Sequence, residues 1–253
     1  MRTALIACWL MLGLAAPAGA AAPAPAPAKT DAQVSPEALA LALARLMAPS
    51  ELRVSAELRE FDLHFKETLL QQREVKELDE KYPGLVDAMA RSVRPLVAEQ
   101  TIKVSDGVHP AIAKILVTEL NPREIAELSA YYGSPAGRNW MRAMANSIDA
   151  SDIYKSAITG KEPTQGDADG QLFIASMKAM GNVSDADRQA LKTLMASPVY
   201  SKLRVVQAQL KKIIMEASLA TDPEYEKRVE EVMTAAVADH ITALEASSSK
   251  PSK

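Results

Sequence analysis

The sequence predicts an all-α fold, a single domain of antiparallel helical hairpins. Strong helix formers dominate the chain, with alanine, leucine, glutamate and lysine abundant and aromatic residues only 4%. Long alternating runs of β-branched residues, which a sheet would need, do not occur. Five pairs of a small polar residue and a proline punctuate the chain: Ser35-Pro36, Asn121-Pro122, Ser134-Pro135, Ser197-Pro198 and Asp222-Pro223. In such a pair the polar side chain accepts backbone N–H bonds at a helix N-cap. Proline then takes the first helical position, where its missing N–H costs nothing.

The first twenty residues have the order of a secretory signal. Arg2 supplies a positive start, residues 4–14 a short apolar core, and Ala18-Gly19-Ala20 a small-x-small cleavage site. The apolar run is too short to span a bilayer. The expectation is export to the periplasm, cleavage after Ala20 and no transmembrane segment afterwards. Cys8, the one cysteine, would leave with the signal. Disulfides, thiolate metal sites and a cysteine nucleophile are then excluded. Residues 21–34 begin with alternating alanine and proline, the composition of an extended tether.

A helical domain is expected over residues 35–245. Val54, Leu58, Phe61, Phe65 and Leu69 line one face of a long helix, and Leu85, Met89, Val93 and Leu96 another, with Pro95 expected to kink or break it. His109 precedes Pro110 and is expected at a helix start. Ile112, Ile115 and Leu116 give a third face, Ile125, Leu128 and Tyr132 a fourth, and Trp140, Met141, Met144 and Ile148 a fifth. Asn121 with Glu124 has the spacing of a capping box, and Ser184 with Asp187 a weaker version. Thr159 to Gly170, rich in glycine and charge, reads as the main interior loop. Val199, Leu203, Val206, Leu210, Ile213 and Ala217 recur at four-three spacing, as an intramolecular seam does. Tyr225, Val229, Val232 and Ala236 mark the last helix, and residues 246–253 read as a disordered tail.

Two segments resemble each other at an offset of 63 residues. Asn121 aligns with Ser184, Leu128 with Leu191, and Ser134-Pro135 with Ser197-Pro198. Each is a short capped helix, a sharp corner and a longer helix, so the chain reads as two similar, degenerate halves, about 85–150 and 171–245. The second has Tyr200 where the first has Gly137. No close-approach constraint is therefore expected there.

The stretch from Leu120 to Arg138 resembles the signature of the bacterial family called domain of unknown function 2059. That signature is a capped short acidic helix followed by Phe-Tyr-x-Ser-Pro-x-Gly and a basic residue or glutamine. Here Tyr131, Tyr132, Ser134, Pro135, Gly137 and Arg138 occupy those positions, with Tyr131 in place of the phenylalanine. The resemblance implies a small, exported, helical protein and supplies no mechanism. Read from the residues themselves, Ser134 caps, Pro135 opens the helix, and Gly137 permits close helix approach at a propensity cost of about 1 kcal/mol. Tyr132 can pack back over Trp140 or Met141. These motif residues, with Trp140, are the candidate binding surface.

No catalytic constellation stands out. His64, His109 and His240 are not spaced as a metal pair, although Glu60 and His64 share a helix face. Aligned to a calcium loop through Gly170, Asp167 to Gly170 leaves Ser176 where the bidentate glutamate belongs. Methionines at Met141, Met144, Met177 and Met180 read as adaptable core filler. The expectation is therefore no cofactor, no metal and no catalysis. Losing Arg2 takes the net charge from −3 to −4, which disfavours nucleic acid. The function expected is a non-enzymatic helical interaction module for a protein or envelope component. The alternative is a carrier of a small apolar ligand between helices. A hydrolase stands behind both for want of a nucleophile. Oligomeric state is not fixed by these features.

Overall fold

A computed structural model describes residues 35–148, 165–220 and 222–248. The signal segment, the tether, residues 159–164 of the expected loop and the last five residues lie outside the described residues. Every regular element among the described residues is a helix. In chain order they are α1 (Pro36–Met47), α2 (Ser50–Leu70), α3 (Arg73–Lys81), α4 (Leu85–Glu119), α5 (Pro122–Tyr132) and α6 (Pro135–Ser147). After residues 149–164 follow α7 (Gln165–Asn182), α8 (Asp185–Ala196), α9 (Pro198–Leu219) and α10 (Pro223–Ser248).

All five proline-marked starts fall where the sequence puts them. Ser35 accepts from the Ala38 amide at 3.2 Å, Asn121 and Glu124 close a full capping box, and Asp222 accepts from the Tyr225 amide at 3.2 Å. The interior prolines behave differently. α4 runs through Pro95 and Pro110 as one helix of 35 residues, unbroken at Pro95. His109 thus sits deep inside a helix and is buried, not at a helix start. Both prolines are exposed, so the carbonyls they leave without an intrahelical donor, one turn back, can be met by water.

The expected loop is also shorter than read. Residues 165–170 belong to α7, and a side chain added at Gly170 would meet nothing, so that glycine serves no turn. The tail is shorter too, because α10 continues through Ser248. α3 is not among the expected helices: it fully buries no residue, and its apolar stripe is short, with Val75 packing against the smaller cluster around Leu69 and Leu85.

The long α4 is the hub, packed by α1, α2, α3, α9 and α10. Its C-terminal half supplies Val108, Ile112, Ala113 and Leu116 to the main core, with Leu43 and Met47 of α1, Ile125 and Leu128 of α5, and Trp140, Met141 and Met144 of α6. Its N-terminal part supplies Leu85, Met89, Val93 and Val97 to two smaller clusters with Phe61 and Leu69 of α2 and Met233 of α10. The α9 seam is intramolecular. Val199, Leu203, Val206 and Leu210 are buried in the main core, and Ile214 then replaces Ile213 as the buried position. A straight helix turns every 3.6 residues, so a four-three pattern drifts onto the next residue within a few turns.

Candidate functional site

The corner between α5 and α6 collects the motif residues. α5 stops at Tyr132, and Gly133 and Ser134 turn the chain. Ser134 Oγ accepts from the Gly137 amide at 3.1 Å and donates to the Tyr131 carbonyl at 2.6 Å, so one hydroxyl joins both helices. Gly137 packs against the end of α5 itself. A Cβ built there would lie 2.8 Å from the Tyr132 Cα and 2.9 Å from the Tyr131 carbonyl carbon, backbone atoms that cannot swing away. Tyr132 and Trp140 are buried in the main core, and Tyr131 meets Tyr132 edge to face at 5.3 Å. Burial holds both tyrosine hydroxyls well above the usual phenol range, reinforced at Tyr131 by the Asp187 carboxylate. Arg138 is exposed and donates to the Gly133 carbonyl, and Pro135 is exposed at the first position of α6. The structure thus brings the motif residues together, with the Ser134 hydroxyl spent on the corner, Tyr132 and Trp140 in the core, and the Tyr131 hydroxyl buried without a partner.

The second corner, between α8 and α9, departs from the expected cap. Ser197 has the N-cap backbone conformation but makes no side-chain cap bond, and its Oγ is buried without a partner. The Tyr200 amide, which aligns with that of Gly137, donates instead to the Ser197 backbone carbonyl at 3.1 Å. Tyr200 is not unconstrained, as expected from the sequence, but buried in the core, and burial pushes its hydroxyl up to about 12. Ser184, at the start of α8, accepts from the Asp187 amide at 3.1 Å. The Asp187 carboxylate takes a bond from Asn139 of α6 at 3.1 Å, tying α6 to α8.

A buried polar belt crosses the middle of α4, between the apolar clusters. Thr101, Ser105 and His109 follow at every fourth residue and are buried, as are Arg53 and Glu57 of α2. Arg53 donates to Ser105 Oγ at 3.2 Å. Ser105 and Thr101 donate to carbonyls four residues back, at 2.7 and 2.8 Å. His109 Nε2 lies 2.8 Å from the Ala48 carbonyl. The Glu57 charge, after burial, helps hold the Tyr225 hydroxyl above its ordinary range. These hydroxyl protons are already engaged, so the belt fixes the register of α2 on α4 and offers no free nucleophile at Thr101 or Ser105. The sequence carries a signal for it, a four-residue spacing of Thr, Ser and His between two apolar stretches of one helix.

An open cleft lies where α2, α6 and α7 meet. It has a volume of about 560 Å³ and is lined by Arg59, Glu60, Leu63, Ser147 and Lys178 among others. Arg59 donates to Glu60 at 2.8 Å and to the Ile148 carbonyl at 3.0 Å, so it ties off the end of α6. Glu60 is 3% exposed, and its other oxygen lies 3.6 Å from His64 Nε2. No group of three histidine, cysteine or carboxylate side chains that could hold a metal occurs among the described residues. Beside the cleft, α7 buries Ala175 and Ala179 in the main core and turns Phe173, Ile174 and Met177 outward. Phe173 is 55% exposed and Met177 61%. Met177, expected with Met180 as core filler, is instead exposed, because the small residues Ala175 and Ala179 are the ones that face the core on this helix.

Neither a family model, nor a curated protein, nor a solved structure matches this chain. No helix among the described residues is long and apolar enough to cross a membrane.

Proposed function

We propose that this chain is an exported, periplasmic, non-enzymatic interaction module that presents the outer face of α7 to a protein or envelope component. The observation that carries the reading is the set Phe173, Ile174 and Met177, three large apolar side chains at helical spacing, each about half exposed or more. Folding alone gives no reason to leave such a cluster in water, and clusters of this kind mark interaction surfaces. The motif at the first corner supports the non-enzymatic part, because Ser134 spends its hydroxyl on two backbone bonds and Trp140 and Tyr132 are core residues. The signal-like order of residues 2–20 and the likeness of residues 120–138 to the family called domain of unknown function 2059 support export.

The test compares the wild type with a Phe173→Ser, Met177→Ser double variant, each crosslinked in its own host and analysed by native mass spectrometry. The wild type should carry a defined partner mass, and the double variant should lose it with an unchanged melting curve. Retention of the partner by the double variant overturns the assignment of the face. Intact mass of the same material should show the first twenty residues removed, and a full-length species in the cytoplasm would remove the export reading.

A further inference from the structure

We infer that the cleft beside α7 receives a free carboxylate of a peptide chain, whose neighbouring apolar side chains lie on α7. The inference rests on the reading of α7 as a docking face and names the chemistry of its partner. Lys178 follows Ile174 by one turn, so the cleft and the apolar face share a row of the same helix. Among the described residues no carboxylate lies within ion-pair distance of Lys178, whereas Arg59 is engaged by Glu60 and by carbonyls at the end of α6. Among the described lining residues, Arg59, Lys178 and Glu60 leave one net positive charge, which matches a monoanion. A dianion such as phosphate would leave one negative charge uncompensated by these three side chains. Asn146 and Asn182 offer amide donors and acceptors, the complement of a peptide backbone. Ser147 supplies a second indication. It is more than nine-tenths buried, it lines the cleft, and its Oγ has no hydrogen-bond partner. A buried hydroxyl left without a bond is uncommon, and a turn of the Ser147 side chain would offer it to an acceptor entering the cleft.

The experiment is an NMR titration of 15N-labelled protein purified from its host. The probes are N-acetyl-Leu-Leu-Ala with a free C-terminal carboxylate, the same peptide as its C-terminal amide, and glucuronate. The acid should move the amide signals of Ser147, Lys178 and Asn182 and bind at least tenfold more tightly than the amide. Lys178→Gln, an exposed change that leaves the melting curve in place, should erase the difference between acid and amide. Phe173→Ser should weaken both peptides alike. Equal binding of acid and amide, or no shift with either at millimolar concentration, overturns the inference. Glucuronate binding as tightly as the peptide acid overturns its assignment to a peptide. A persisting acid preference with no effect of Phe173→Ser would leave the carboxylate site standing and remove the reading of the α7 face.

Discussion

The two Ser-Pro corners share a backbone plan and complete it with different atoms. In each, the serine amide bonds to the carbonyl three residues back, Ser134 to Tyr131 and Ser197 to Leu194, both at 2.9 Å. In each, the amide at the third helical position is satisfied. At the first corner the donor is Gly137 and the acceptor is a side-chain hydroxyl; at the second the donor is Tyr200 and the acceptor is a backbone carbonyl. The glycine lets α6 touch the end of α5, and the tyrosine fills the equivalent place with a ring. The aligned position is thus buried at both corners, without a side chain at one and with a large ring at the other.

The largest effect should come from emptying the second corner. Tyr200→Ala removes a buried ring and should cost about 3 kcal/mol or more in urea unfolding, as large-to-small core changes do. Little or no loss would mean the two corners do not differ in this way. Filling the first corner comes next. Gly137→Ala forces a Cβ onto the α5 backbone and should cost about 2 kcal/mol, a net of overpacking against the gain in helix propensity. A stabilised Gly137→Ala protein would show that α6 can shift away freely.

Alkaline stability separates the corners by their tyrosines. Burial raises the hydroxyls of Tyr131 and Tyr132 at the first corner and of Tyr200 at the second. A raised phenol favours folding fully below its unfolded value of about 10 and loses that contribution as pH climbs toward the folded value. Unfolding should therefore set in as pH rises above about 10. Tyr131→Phe should move the alkaline midpoint upward and change little at neutral pH, because the Tyr131 hydroxyl is buried without a partner. A midpoint that stays put would remove Tyr131 from the alkaline transition.

The two serines give the smallest effects. Ser134→Ala should cost about 1 kcal/mol, the ordinary worth of an N-cap. Ser197→Ala should fall within about 0.5 kcal/mol of wild type, since its hydroxyl makes no bond to lose. Equal costs at both positions would restore the expectation that the two serines are alike.

How much of this was legible follows from what kind of force fixes each feature. Caps and apolar stripes are local, so Asn121 with Glu124 and the Val199–Leu210 seam were readable from spacing alone. Proline was over-read. Pro95 and Pro110 leave α4 unbroken, and both are exposed, where the carbonyls they orphan can be met by water. Gly170, inside α7, misleads in the same way, since it sits on an open helix face. At the candidate sites, the corner was legible because its bonds span three residues. The cleft was not, because Arg59, Ser147 and Lys178 come from three helices far apart in sequence. The buried polar belt lay in plain view at Thr101, Ser105 and His109, and it reads as a seam only once Arg53 is seen across it.

Amide hydrogen exchange, read residue by residue, tests most directly whether the two corners are held by different atoms. The Gly137 amide depends on the Ser134 hydroxyl, and the Tyr200 amide depends on the Ser197 backbone. Ser134→Ala should accelerate exchange at Gly137 about fivefold or more, the factor that the loss of about 1 kcal/mol of local protection implies. Ser197→Ala should leave exchange at Tyr200 unchanged. Acceleration at Tyr200 on Ser197→Ala, or none at Gly137 on Ser134→Ala, would contradict the account.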